Sequence, residues 1–143
     1  MTREPIMEAL RAALQAQFGA SFKAPLARKL KHWKDVDGGD FPCWFLTQGN
    51  ESPVATTRVP TIWSMTIDVY LYAFTGADSS ITPMSYLNPL VDSITGWFEP
   101  TNGVEQTLGG LVHRCRNTGV ETDAGVLGDH AVAIISTTLI VAT

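Results

Sequence analysis

Residues 61–74 alternate strictly between apolar and polar side chains. Apolar residues occupy every second position from Trp63 to Ala73, and polar or tyrosine side chains fill the positions between. This period of two is typical of a β-strand with one face on a core and the other facing solvent or a neighbouring chain. The segment is also about twice as long as an ordinary strand. A long central strand in a sheet with two unlike faces is therefore our first expectation.

A first helix is predicted over residues 4–18. Apolar residues recur there at the 3.6-residue spacing of a helix face. Thr2 is a suitable N-terminal cap and Gly19 a suitable end.

A second helix is predicted to begin at Thr82, with Pro83 in the favoured first position, and to end before Pro100. Pro89 is awkward inside it, since proline lacks a backbone donor. We expect a distorted or separate first turn, with Asn88 able to cap a restart.

The region between the first helix and the long strand predicts a hairpin and a loop. Residues 22–36 alternate without a clean apolar face, which favours an edge strand with outward basic side chains. Residues 37–40 predict a turn, and residues 41–47 a short returning strand. Residues 48–60 are rich in glycine, proline, serine and threonine and predict a long loop.

The C-terminal third predicts two more strands, over residues 111–121 and 130–142. A short link precedes them at residues 106–110, and a turn at 123–128 joins them. Both faces of the last strand carry apolar residues, so we expect it to be central. The order is typical of a single α+β domain over residues 1–143, with a mixed, mainly antiparallel sheet of four to five strands and two helices packed on one face.

Composition and charge exclude several classes of function. The chain is 45% hydrophobic and 17% charged, which is typical of a folded domain. Its net charge is −4, whereas a protein that binds nucleic acid through the phosphates needs a basic face. A basic run with interleaved aromatics over residues 22–34 is interpreted as a solvated face that can meet an acidic partner. No apolar signal core or membrane-length apolar run is found, so we expect a protein made in a cytoplasm, without a membrane partner.

Candidate chemistry is sparse. Asp35, Asp37 and Asp40 crowd one turn but lack the spacing of a calcium loop. His113 and His130 flank one predicted hairpin and can approach, with Cys115 as a conceivable third zinc ligand. The simpler interpretations are that the aspartates lie in a solvated turn, that the histidines form local hydrogen bonds, and that the cysteines are buried, reduced thiols. Catalytic signature motifs are missing from the sequence, so we predict no enzyme, no cofactor and no metal.

Four short segments carry a resemblance to a known family. They are residues 29–36 with 41–46, the tyrosine-bearing residues 67–72, residues 87–92, and the run 106–113 ahead of an Ile/Val-rich C-terminal strand. In this order they resemble the tail terminator, or tail completion, proteins of long-tailed phages and gene-transfer-agent particles. The motifs are short, and their shared order along nearly the whole chain carries the resemblance.

The resemblance implies a structural virion protein that is not an enzyme. Such proteins close as a ring, usually of six copies, on the head-proximal end of the tail tube. They stop tube polymerisation and present a surface to the neck or head-completion protein, while double-stranded DNA passes through the lumen without specific binding. The implied location is the tail–neck junction of the virion, with assembly in the host cytoplasm.

Two sets of contact residues follow from these expectations. The predicted loop supplies the candidate tube contact, Gly49, Asn50, Glu51 and Arg58, with a merely floppy surface loop as the alternative. The outer face of the long strand supplies the candidate subunit interface, Asp68, Tyr70 and Tyr72, since tyrosine is a frequent interface anchor. A local packing role is the alternative for these three.

Other functional classes stay open at the sequence level. A neighbouring virion part, such as a head-completion adaptor or a tail tube subunit, is the second hypothesis. A small enzyme or a host-directed binding protein is the third.

Overall fold

The protein is an α+β domain with two helices and a four-stranded antiparallel sheet, seen in a computed structural model that describes residues 2–54, 61–76, 80–123 and 125–142. Three single-turn 3₁₀ helices lie between the first helix and the first strand. The elements are α1 (Arg3–Phe18), β1 (Cys43–Val54), β2 (Ile62–Phe74), α2 (Met84–Phe98), β3 (Arg114–Thr122) and β4 (His130–Ala142).

The centre of the sheet is the pair β2–β4. The strand order is β1-β2-β4-β3, and every neighbouring pair is antiparallel. The β2–β4 register runs without interruption from Ile62 opposite Ala142 to Phe74 opposite His130. The predictions of a long β2 and of a central last strand are both confirmed.

Both helices pack on one face of this sheet, as predicted. The alternating apolar residues of β2 from Met65 to Ala73 point into that face, and Ala133, Ile135 and Leu139 of β4 lie beside them. The helices close the core with a buried stripe each: Ile6, Met7, Leu10 and Leu14 from α1, and Leu87, Ile94 and Phe98 from α2.

Helix α2 differs from its prediction at the N-terminal end. It begins at Met84, one residue after Pro83, and continues unbroken through Pro89. The restart at Pro89 with Asn88 as its cap is wrong. Leu87 and Ile94 pack in the same core as parts of one continuous apolar stripe. This packing offsets the backbone hydrogen bond that Pro89 cannot donate.

The strand predicted over residues 22–36, and the hairpin it would form, are wrong. This part of the chain, which we call the connecting segment (residues 22–42), makes one isolated bridge, from Ala27 to Phe45, where the Leu46 N–H donates to the Ala27 carbonyl at 2.9 Å. Side chains attach it instead, with Phe22 stacked on Trp44 at a ring-centroid distance of 4.1 Å. The alternating residues of this segment have no apolar face to bury, so pairing as a strand would gain little packing energy.

The loop predicted over residues 48–60 is also wrong as far as Val54. Residues 48–54, which we call the outer half of β1, pair with β2 between Ile62 and Ile67, with a bulge between Gln48 and Glu51. A strand as long as β2 presents backbone groups that need partners, and the bulge absorbs the residues that do not fit the register. Residues 55–60 lie outside the described residues, as do residues 77–79.

The next strand begins later than predicted. β3 starts at Arg114 rather than at residue 111. Leu108, Gly109 and Gly110 all have positive φ, so the chain turns there before it can pair. Leu108 and Val112 are buried in the core beneath this turn.

One polar side chain is trapped in the core and gives a stability prediction. Thr137 is fully buried on the helix side of β4, and its Oγ1 has no hydrogen-bond partner among the described residues. Thr137→Val removes this unsatisfied hydroxyl at nearly constant shape. We expect the free energy of unfolding to rise by about 1 kcal/mol in a denaturant titration. Thr138→Val, on the half-buried opposite face, is the matched control and should change it little.

Candidate interaction surface

The sheet face opposite the helices is only partly covered. The connecting segment lies over one end of it, where Phe41, Cys43, Phe45 and Tyr72 form a second, smaller buried cluster. The remainder, which we call the open face, consists of half-buried side chains. They are Ser64, Thr66, Asp68 and Tyr70 of β2 and Ile134, Ser136, Thr138 and Ile140 of β4.

A groove of about 470 Å³ lies where the open face meets the connecting segment. Its floor is formed by Tyr70, Tyr72, Val132 and Ile134. One wall is residues 30–33, including Lys31 and Trp33, and the other is residues 121–123 with Leu127. Concave, mainly apolar surfaces of this size with a few charged groups are typical of binding sites.

The three predicted subunit-interface residues share this face but differ in exposure. Asp68 accepts a 2.6 Å hydrogen bond from the Ser136 hydroxyl, which joins the two central strands. Tyr70 is half-buried and forms part of the groove floor. Tyr72 is only 4% exposed.

Tyr72 fits the local packing alternative. Its hydroxyl donates to the Lys31 carbonyl at 2.7 Å and so attaches the connecting segment to the sheet. Burial raises the pKa of this phenol to about 12. Tyr70 and Asp68 are the members of the set with side-chain surface available to a partner.

The predicted tube-contact residues lie in β1 rather than in a loop. Glu51 accepts a 2.6 Å ion-paired hydrogen bond from Arg3 Nε, and the Arg3 guanidinium also lies 5.5 Å from the Trp63 ring centre. Gly49 approaches β2 closely, since a Cβ there would lie 3.1 Å from the Thr66 carbonyl oxygen. Asn50 is exposed in the bulge. Arg58 lies outside the described residues.

A second ion pair attaches the connecting segment to the same region. Arg28 binds the Glu4 carboxylate of α1 and also donates to Gln48 of β1 at 3.1 Å. The cations Arg3 and Arg28 therefore join the first turn of α1 to the outer half of β1. Arg28 belongs to the basic run that was interpreted as a solvated face, and it also makes these structural contacts.

The candidate metal ligands are far apart. The register places His113 next to Ile140, whereas His130 begins β4, so the two histidines lie at opposite ends of the β3–β4 hairpin. The rise of a strand makes that separation about 30 Å, so the two histidines do not approach each other as a zinc site would require. Within residues 2–54, 61–76, 80–123 and 125–142, no three His, Cys, Asp or Glu side chains are grouped as a metal site requires.

His130 belongs to an aromatic cluster instead. Its ring lies 4.5 Å from both the Trp33 and the Phe74 rings, between centroids, and 5.5 Å from Phe41. Burial lowers its pKa, partly opposed by the nearby Asp129 carboxylate. This cluster fixes the end of the connecting segment against the sheet and thereby positions the groove wall.

The groove was not predicted from the sequence, although its signals are visible in hindsight. Apolar residues on both faces of β4 indicated a covered second face, and Trp33 was an apolar residue without an assigned partner. The connecting segment supplies one wall, and its path could not be read from a strand pattern.

Comparison with known proteins adds no assignment. The chain matches no protein-family model and no curated protein. None of the helices in the described part of the chain is long and apolar enough to span a membrane.

The two thiols give a testable statement about reactivity. Cys43 and Cys115 are buried, and burial raises the pKa of each to about 12. At about pH 8, where thiolates are the reactive form, we expect a disulfide reagent to label neither thiol in the native protein and both in denaturant. Rapid labelling of the native chain would contradict this.

The same shifts predict a pH dependence of stability. The unfolded chain loses its thiol protons near the ordinary value of 9, while the folded chain keeps them up to about 12. Above pH 9 the unfolded state therefore binds fewer protons, and the thiols' contribution to stability decreases as the pH rises towards 12.

Proposed function

We propose that this protein is a structural virion subunit that forms a ring, of six copies, at the head-proximal end of a phage tail tube. There it ends tube polymerisation and joins the tail to the neck or head-completion protein. Its partners are copies of itself, the tube protein and the neck protein, and double-stranded DNA passes through the lumen without specific binding.

The open face is the observation that carries this proposal. One side of the sheet is closed by two helices, while the other leaves Tyr70 and Ile134 half-buried in a groove and Ile140 half-buried farther along β4. Apolar surface of this kind is stabilised when another protein covers it. A subunit that assembles with copies of itself meets that need.

The strand edges favour a finite assembly. The outer half of β1 contains a bulge and Pro53, and β3 contains a bulge between Asn117 and Gly119 with Arg114 and Arg116 at its start. Bulges, proline and charged side chains are the devices that discourage edge-to-edge sheet extension. We infer that copies meet through the open face, and that the edges oppose extension without limit, as a terminator requires.

The charge of the chain is compatible with a DNA passage. The net charge of −4 gives no general attraction for phosphate. A lumen that attracted phosphates strongly would retard DNA, because phosphate contacts dominate protein–DNA affinity.

A small-molecule binder is the second candidate, and the groove is the observation that favours it. Its volume of about 470 Å³ and its aromatic floor are within the range of ligand pockets. A head-completion adaptor or tube subunit is the nearest alternative within the virion.

Electron microscopy of the purified protein, alone and mixed with the tail tube of the same particle, separates these functions. We expect single closed rings, or rings bound at one end of each tube. Long tubes of this protein alone would identify a tube subunit. Monomers that ignore the tube, with a melting temperature that rises on ligand addition, would identify a binder or enzyme and contradict the proposal.

A substitution on the open face tests which surface makes the ring. Tyr70→Arg places a charge on the groove floor, and we expect ring formation to weaken by about 30-fold or more, measured as the assembling fraction by light scattering. Tyr86→Arg, on a 50% exposed tyrosine of α2, is the matched control and should leave rings intact. Equal assembly of both variants would mean that copies meet elsewhere. Unchanged melting curves establish that both variants are folded.

A further inference from the structure

A tight, hydrogen-bonded turn follows α2. The Thr101 and Val104 backbones exchange two hydrogen bonds, of 3.1 and 2.9 Å, around Asn102 and Gly103. Both central residues have positive φ, 52° and 77°, as a type I′ turn requires. Val104 is 68% exposed on this turn, which we call the Val104 turn (residues 101–104). A preformed apolar knob of this kind loses little entropy on binding.

The flanks of the Val104 turn carry opposite charges. Glu99 precedes it, and Glu105, which follows it, forms a salt bridge with Arg116 of β3. Arg116 Nε is buried without a hydrogen-bond partner among the described residues, while the side chain as a whole is 39% exposed. The turn thus presents a carboxylate on one flank and a guanidinium on the other.

The groove, whose lining does not include residues 99–105, has the complementary arrangement. Lys31 lies in one wall and Glu121 in the other. Asp123, also in that second wall, is engaged by its own turn, since its carboxylate accepts from the backbone N–H groups of Leu127 and Val132. Glu121 has no ion-pair partner among the described side chains, so its charge is available to a bound cation.

We propose that the Val104 turn of one copy seats in the groove of the next copy. Val104 then covers the apolar floor at Tyr70 and Ile134, Glu99 faces Lys31, and Arg116 faces Glu121. This inference rests on the proposed function, because it names the contact through which the ring closes.

The contact is head-to-tail, since the knob and the groove are different surfaces of one chain. Each copy therefore offers one knob and one groove, and successive copies are related by a constant rotation. Such a contact gives a ring when the rotation closes and an open filament when it does not. The two charge pairs fix the orientation of the turn in the groove, because a reversed turn would place Glu99 against Glu121.

A mixing experiment tests this directly. Val104→Asp removes the knob and keeps the groove, whereas Ile134→Arg blocks the groove and keeps the knob. We expect each variant alone to self-associate about 30-fold or more weakly than the unmodified chain. An equal mixture should form heterodimers that stop at two copies, because one intact knob still meets one intact groove. Native mass spectrometry counts the copies.

Controls make each outcome decisive. Leu111→Asp charges a 44% exposed apolar residue elsewhere and should leave assembly unchanged. The charge swap Glu99→Lys with Lys31→Glu in one chain should restore association that Glu99→Lys alone weakens. Melting curves show that each variant is folded.

Two results separate this inference from the proposed function. Rings that form normally from Val104→Asp, or variants that never give a heterodimer although the unmodified chain forms rings, overturn the knob-and-groove contact and leave the ring proposal standing. An unmodified chain that forms no rings, alone or on tubes, overturns both.

Discussion

The uninterrupted pairing of β2 with β4 determines the rest of the molecule. Their thirteen aligned pairs fix which side chains point to each side of the sheet, because alternate residues on a strand face opposite ways. A shift of one residue would bury Asp68 beneath the helices and expose Ile67 and Val69. The helix-covered core and the open face are two consequences of this one register.

The two faces are closed by different means, and that difference has functional meaning. Helical stripes from α1 and α2 fill one face with apolar side chains. On the other face, individual anchors hold an irregular segment: the Tyr72 hydroxyl and the aromatic cluster of His130. Because these anchors cover one end only, the segment becomes a groove wall, and the remaining surface is available to a partner.

Periodicity predicted the elements whose side chains repeat, and failed where single contacts decide the path. α1, β2 and β4 have strong periods of 3.6 or 2 and were predicted within one or two residues. The connecting segment has no period that packing can use, so its alternation was misleading. In the outer half of β1, backbone pairing with β2 prevailed over the turn-forming character of Gly49, Asn50 and Pro53. Of the predicted interface, Asp68 and Tyr70 do lie on an uncovered face, but Tyr72 is a packing residue.

By itself the sequence determined an α+β domain with two helices on one side of an antiparallel sheet, because side-chain periods dictate which surface of each element must be buried. Only the tertiary structure decided where the connecting segment lies, which histidines and carboxylates are close, and that the groove and the Val104 turn are separate surfaces. Those features depend on contacts between residues tens of positions apart, such as Tyr72 with Lys31 and Arg116 with Glu105. No local pattern records such contacts, since their energies come from the folded arrangement.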